Sequence, residues 1–247
     1  MSFKERESAI LEYLQEKKEA TVGELCRAFF VSEPTMRRDL LALHGAGKIL
    51  RTHGGAVYRG EPGENLPQGF REREHMSAKA LIAKRCLSLI KDGDTVMLDA
   101  SSTAFELLKL LPAKHSIVVI TNNAGAAQAL ADTKIKAFVT GGQLARGTYA
   151  LVGSQAEAFI RSFNADICFF SVRRLTPDGR LTDNAIAEND VRRAMLSRSK
   201  RSVLMLDSQK LGEPCMNTLC DLSIITEVVS ERDISQEVSA EYREKFL

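Results

Sequence analysis

The chain has 247 residues, 44% hydrophobic and 27% charged, which fits two compact units or one large α/β domain and excludes disordered, collagen-like and fibrous classes. Its net charge of +2 is unevenly spread: residues 1–60 hold 10 Lys and Arg against 8 Asp and Glu, and the remainder balances at 24 against 24. Within residues 27–59 six basic residues face two acidic ones, the pattern of a short polyanion-binding module ahead of a neutral domain.

The opening segment MSFKERESAILEYLQEKKEA mixes charges with an interrupted apolar pattern, so it reads as neither a signal peptide nor a membrane span. A cytoplasmic protein with no membrane partner is expected. Ile10, Leu11 and Leu14 give one helical face. A second helical pattern opens at Thr21, where T-x-x-E has the form of a capping box, and runs through Val22, Leu25 and Phe29. A third starts from Ser32 as N-cap, with Glu33 and Pro34 in its first turn. Met36, Leu40 and Leu43 fall on one stripe of that helix, which leaves Pro34 and Arg38 opposite and Thr35 and Arg37 on the flanks. Two helices, a short turn and a third helix with a basic outer face match a helix-turn-helix, whose last helix enters the DNA major groove. Arg37 and Arg38 are suited either to guanine edges or to phosphates, and a solvated basic face on a plain bundle is the alternative.

The segment KILRTHGGAVY then reads as a small hairpin or wing around His53, Gly54 and Gly55, the two glycines suiting positive φ or close backbone approach. Residues 59–74 form the expected linker, rich in Gly, Pro and Glu at their start. From residue 75 helices alternate with the apolar runs TVML, IVVI, AFVT, ADICFFSV and SVLMLD, several without polar alternation. Strands covered on both faces are expected, hence a largely parallel sheet in an α/β domain. Polar clusters follow four of these runs: Asp99 to Thr103, Thr121 to Asn123, Gly141-Gly142, and Asp207 to Lys210. In a parallel sheet these ends share the edge where ligands bind. Ser101, Ser102 and Thr103, leading into a helix, suit a phosphate, and Lys210 adds charge; each cluster alone also suits a cap or turn. The five cysteines are scattered, without a C-x-x-C pair, and read as buried free thiols; no metal or cofactor is expected.

Two motifs, VS-x-x-T-M-RRDL over Val31–Leu40 and R-x-HGGA over Arg51–Ala56, resemble the N-terminal module of the DeoR family of bacterial sugar-metabolism transcription regulators. The resemblance implies a winged helix-turn-helix over residues 1–58 that contacts double-stranded operator DNA through Ser32, Pro34, Thr35, Arg37, Arg38, Arg51 and His53. It extends over about residues 70–230, where sensor domains of this family resemble ribose-phosphate isomerase. There it implies that Asp99, Ser101, Ser102, Thr103, Thr121, Asn122, Gly141, Gly142 and Lys210 line a pocket for a phosphorylated sugar. Ser101 and Ser102 replace the glycine and first threonine of the family's D-x-G-T-T, and Gln209 replaces the Ser or Thr before the lysine. Arg173 and Arg174 stand where the family usually has a glycine-containing segment; Arg173 is assigned to the pocket, with solvent or a subunit interface as the alternative. The stretch FFSVRRL lacks the acidic catalytic residues of the isomerases, and Asp99 alone leaves enolisation without a base. The expectation is therefore a homo-oligomeric repressor, dimer or tetramer, of a carbohydrate operon, with residues 75–247 as an α/β effector-sensing domain and no catalysis. A sugar-phosphate isomerase with an accessory DNA-binding domain is the alternative, and a sensor that no longer binds its effector is a third.

Overall fold

The computed structural model describes residues 3–46, 48–52, 54–58, 71 and 74–247, and the chain divides into two compact units, Met1–Phe70 and Arg71–Leu247. His53 and most of the expected linker (residues 59–70, 72 and 73) lie outside the described residues.

In the first unit the order is α1 (Phe3–Lys17), β1 (Glu19–Thr21), α2 (Val22–Phe29), α3 (Glu33–Gly45), β2 (Ile49–Arg51) and β3 (Gly55–Tyr58). The capping box forms: the Thr21 side chain accepts from the Glu24 N–H, and the Glu24 carboxylate accepts from the Thr21 N–H at 2.8 Å. Ser32 is the N-cap of α3, but its hydroxyl bonds the Thr35 hydroxyl rather than a backbone N–H. Ile10 and Leu14 of α1, Leu25 of α2, and Met36, Leu40 and Leu43 of α3 meet in one buried core. The wing has three strands, since β1 pairs antiparallel with β3 beside the expected β2–β3 hairpin. Gly55 permits that pairing by close approach, not by positive φ: an added Cβ would lie 2.1 Å from the Ala20 carbonyl oxygen.

The turn between α2 and α3 contains a strained residue. Phe30 closes α2 in the left-handed conformation at φ 53° with its side chain 94% exposed, a backbone region that disfavours bulky L-residues. Relief of that strain by Phe30→Gly is expected to stabilise the turn by about 1 kcal/mol. Hydrogen exchange of the α2 and α3 amides in the full chain should slow accordingly; unchanged or faster exchange would refute the strain.

The second unit begins with α4 (Met76–Leu87), β4 (Thr95–Leu98), α5 (Ser102–Leu110), β5 (Val118–Thr121), α6 (Gly125–Leu130) and β6 (Lys136–Val139). It continues with the short hairpin β7 (Gln143–Leu144) and β8 (Leu151–Val152), then α7 (Ser154–Arg161), β9 (Ala165–Phe170), β10 (Arg174–Leu175) and β11 (Arg180–Asp183). Last come α8 (Ile186–Ser197), β12 (Ser199–Met205), β13 (Asn217–Asp221) and β14 (Glu227–Val229). Six strands form one parallel sheet in the order β14-β12-β9-β4-β5-β6, and β10, β11 and β13 form a small antiparallel sheet.

The absence of alternation in the strand sequences now has a physical cause. Val96, Leu98, Val119, Ile167, Phe169, Val203 and Met205 pack on one face with Ile82 and Cys86 of α4 and Leu107 and Leu108 of α5. Their neighbours Met97, Ile120, Cys168, Phe170 and Leu204 pack on the other face with Ile160 of α7 and Val191 and Met195 of α8. Both faces are dry, so both sets of side chains are apolar. The chain starts at β4, winds outward to β6, and returns to β9 on the other side of β4. The strand order therefore reverses between β4 and β9, and a crevice opens at their carboxyl ends.

Candidate functional site

In the first unit, burial separates the two sides of α3. Met36, Asp39, Leu40 and Leu43 are buried, whereas Ser32, Pro34, Arg37 and Arg38 are exposed and Thr35 is half-buried. Asp39 faces inward and accepts from Arg6 Nε of α1 at 2.6 Å, so it anchors α3 to the bundle. Arg37 lies 3.1 Å from the Glu33 carboxylate one turn earlier, an exposed pair that a phosphate readily displaces. Arg51 is exposed on β2, at the wing. The first two turns of α3 thus offer small side chains and two guanidinium groups on an exposed face, the form that fits a groove of duplex DNA.

In the second unit the edge at the carboxyl ends of the strands is built around Asp99, which is buried just after β4. Its Oδ1 accepts the Ser101 N–H at 3.1 Å, and its Oδ2 accepts the Ser171 N–H at 3.3 Å and Arg192 Nε at 2.9 Å. Ser101 caps α5, its hydroxyl accepting the Ala104 N–H at 3.1 Å. Its φ of −68° needs no glycine, and its hydroxyl is committed to the helix. Ser102 and Thr103 are the first two residues of α5, whose N–H groups have no partner within a helix and point with the positive end of its dipole. Thr121 ends β5, and its hydroxyl accepts the Asn123 N–H at 3.1 Å. Asn122 Nδ2 donates to the Leu151 carbonyl at 3.1 Å. Gly141 and Gly142 are exposed after Thr140; Gly142 has φ 123°, and an added Cβ would stand 2.6 Å from the Val152 carbonyl oxygen. That contact makes Gly142 a requirement of the turn into β7.

Beyond β12, Asp207 caps a short 3-10 turn that presents Lys210, whose Nζ donates to the Ser171 hydroxyl at 2.8 Å. Burial, with the nearby positive charge of Lys79 adding to it, pushes the Lys210 ammonium down to about 8. Arg173 is half-buried just past the end of β9. Arg174 instead donates to the Gln209 carbonyl at 2.7 Å, bracing the Lys210 turn.

Four buried side-chain atoms at this edge have no hydrogen-bond partner: Thr103 Oγ1, Asn122 Oδ1, Asn123 Nδ2 and Thr140 Oγ1. Their gathering at adjacent strand ends marks hydrogen-bonding capacity that the fold itself does not use. From the sequence, neither Asn123, the last residue of the Thr121 to Asn123 cluster, nor Thr140, the last residue of AFVT, is assigned to the site.

The expectation that Asp99 stands alone as a carboxylate is corrected. Asp183 at the end of β11 and Glu188 on α8 join it, at 3.0 and 3.2 Å from Arg192 Nη1 and Nη2. Arg192, also bonded to Asn189 Oδ1 at 2.9 Å, ties up a charge on each of the three acids. No motif in the sequence flags this cluster, because its members come from three separate segments. The i, i+4 spacing of Glu188 and Arg192 was the one local signal. Removing the guanidinium would leave three buried carboxylates facing each other. Arg192→Met is expected to destabilise the second unit by about 3–5 kcal/mol, read as a lower urea midpoint for its unfolding.

Among the described residues, no helix is long and apolar enough to cross a membrane, and no group of three His, Cys, Asp or Glu is placed to hold a metal ion. All five cysteines are free, but burial holds only for Cys86 and Cys168, since Cys26, Cys215 and Cys220 are half-buried.

Residues 6–61 match the DeoR-like helix-turn-helix domain, and residues 74–232 match the DeoR C terminal sensor domain. The chain belongs to the DeoR family. It is similar to the HTH-type transcriptional regulator GolR of Listeria innocua, 32% identical over 98% of this chain and 96% of that one. The transcriptional repressor AccR of Agrobacterium fabrum is 30% identical, over 100% of this chain and 97% of AccR. Among solved structures, ribose 5-phosphate isomerase A from Methanocaldococcus jannaschii is similar with a TM-score of 0.44, at 16% identity over 56% of each chain. This DeoR-family protein is thus a DNA-binding transcriptional regulator with an N-terminal helix-turn-helix unit and a C-terminal α/β sensor unit.

Proposed function

We propose that this regulator is a cytoplasmic, homo-oligomeric repressor of a carbohydrate-use operon that leaves its operator when a phosphorylated sugar binds the second unit. In this reading residues 1–58 bind DNA, residues 59–74 link, and residues 75–247 sense the effector. The observation that carries it is the pairing of two exposed arginines in the second turn of α3 with a strand-end crevice whose cations and unused polar atoms suit an anionic, hydroxyl-rich ligand. On the DNA, Arg37 and Arg38 reach bases or phosphates, Ser32, Pro34 and Thr35 fit against the groove, and Arg51 with His53 holds the backbone from the wing. One such helix reads few base pairs, so repeated half-sites and a symmetric oligomer are needed for a unique operator.

In the sensor, Ser102, Thr103 and Lys210 take the phosphate, while Thr121, Asn122, Gly141, Gly142 and Arg173 surround the sugar. Asp99 and Ser101 act one step back, holding β4, α5 and Ser171 in place. The effector must favour the DNA-free arrangement by differential affinity, because equal affinity shifts nothing. The protein moves no proton between carbons: Asp99, Asp183 and Glu188 all face Arg192, which leaves none of them as a base.

Duplexes enriched from random sequence by the full chain supply an operator for a gel-shift assay. Arg37→Ala and Arg38→Ala are each expected to weaken retention about tenfold or more, and wild-type retention in both would reject the recognition surface. Calorimetric titration with a panel of pentose and hexose phosphates is expected to find one that binds and that releases the duplex. Failure of every member, or turnover of ribose 5-phosphate lost on Glu188→Gln, would overturn the sensor reading in favour of the isomerase.

A further inference from the structure

Two large apolar side chains of the first unit are left in water, one ahead of the arginines of α3 and one behind them. Among the described residues of that unit, Phe30 and Leu41 are the exposed large hydrophobics, at 94% and 55%. A single exposed leucine is ordinary on a protein surface. Phe30 is not ordinary, because it holds the left-handed backbone at φ 53° and its ring gains almost no burial in return. A strained residue without an internal gain points to a use outside the chain. Its Cα lies at most about 8 Å from that of Ser32, the N-cap of α3 two residues on. Leu41 lies seven residues beyond Pro34, two helical turns and about 10 Å further along the same line of α3, and that line runs between Arg37 and Arg38. Met36, Leu40 and Leu43 occupy the opposite side, in the core.

We propose that Phe30 and Leu41 are specificity-determining residues that contact thymine C5-methyl groups in the major groove, on either side of the contacts made by Arg37 and Arg38. This rests on the α3 recognition surface described above and adds to it an apolar part of the readout. Thymine presents a methyl group in the major groove, so a side chain with no hydrogen-bonding atom can tell it from cytosine there. Basic groups bring the helix to a duplex of any sequence, and contacts to phosphates carry no sequence information. Apolar contacts to base edges do carry it. Phe30 and Leu41 leave water only when another surface closes over them, so the gain from burying them is realised in a complex alone. A second copy of this chain suits that surface poorly: across a twofold axis on this face Arg37 and Arg38 would meet their own counterparts, and like charges oppose the contact.

The test replaces thymine with uracil, which keeps base pairing and removes only the methyl group. Duplexes enriched from random sequence by the full chain are resynthesised with one uracil at a time and titrated in a gel-shift assay. In each half-site at least two of these replacements are expected to weaken wild-type binding about threefold. Phe30→Gly, which relieves the backbone strain, should leave the unit at least as stable by hydrogen exchange and yet bind the thymine duplex about threefold more weakly, with no further loss when its own position carries uracil. Leu41→Ala keeps a strong helix former at an exposed position and should do the same at a different thymine. A merely structural role would leave the response to uracil intact. Half-sites without thymine, a wild type indifferent to uracil, or variants that respond to every uracil as the wild type does would each overturn the proposal. A changed assembly mass in sedimentation, in variants that keep the wild-type uracil response, would instead assign the pair to a contact between copies. Arginine-dependent binding with no uracil response would remove the apolar readout alone, whereas wild-type retention in both Arg37→Ala and Arg38→Ala would remove the recognition surface beneath it.

Discussion

One buried carboxylate holds the sensor unit's edge together. Asp99 follows the first strand of the parallel sheet and binds the start of α5 through Ser101, the end of β9 through Ser171, and α8 through Arg192. These elements meet where the strand order reverses, the one place in a doubly wound sheet where neighbouring strands send their connections to opposite sides. A crevice there must be kept open and kept in shape. Asp99 does this with charge-assisted hydrogen bonds, which are strong in a low dielectric and tolerate little displacement. Arg192 extends the same lock to Asp183 and Glu188, so the small antiparallel sheet is fixed to the large one.

The consequence for chemistry is a sorting of charge. Acidic groups are drawn inward onto Arg192, and Lys210 and the first N–H groups of α5 are left at the crevice. The charge left at that edge suits an anion, and each of the three inward acids is paired with one guanidinium. The first unit sorts charge by the same rule on a smaller scale, with Asp39 turned inward onto Arg6 and the arginines of α3 turned outward.

Much of this was legible in the sequence because it rests on local rules. Thr21 and Glu24 announce a helix start, Met36, Leu40 and Leu43 announce a buried stripe, and unbroken apolar runs such as IVVI announce strands covered on both faces. What stayed hidden depends on distant pairing. The strand β1 is only three residues long and exists because β3 lies beside it. Lys79 sits in a helical pattern as an ordinary polar residue, and only the packing of α4 places it in the interior. Asp183, Glu188 and Arg192 are likewise unremarkable until the sheet brings them to Asp99. Ser101 shows the opposite case: it departs from the family's glycine, yet φ −68° and its capping hydroxyl fit it comfortably.

The two sides of α3 answer to separate demands. Its inner residues are fixed by the apolar core and by the Arg6–Asp39 pair, and none of its exposed residues, Ser32, Pro34, Arg37 or Arg38, packs in that core. An exchange on the outer face changes the surface the helix presents without disturbing what makes it fold. Single substitutions can therefore accumulate on that face while the architecture beneath it is inherited unchanged.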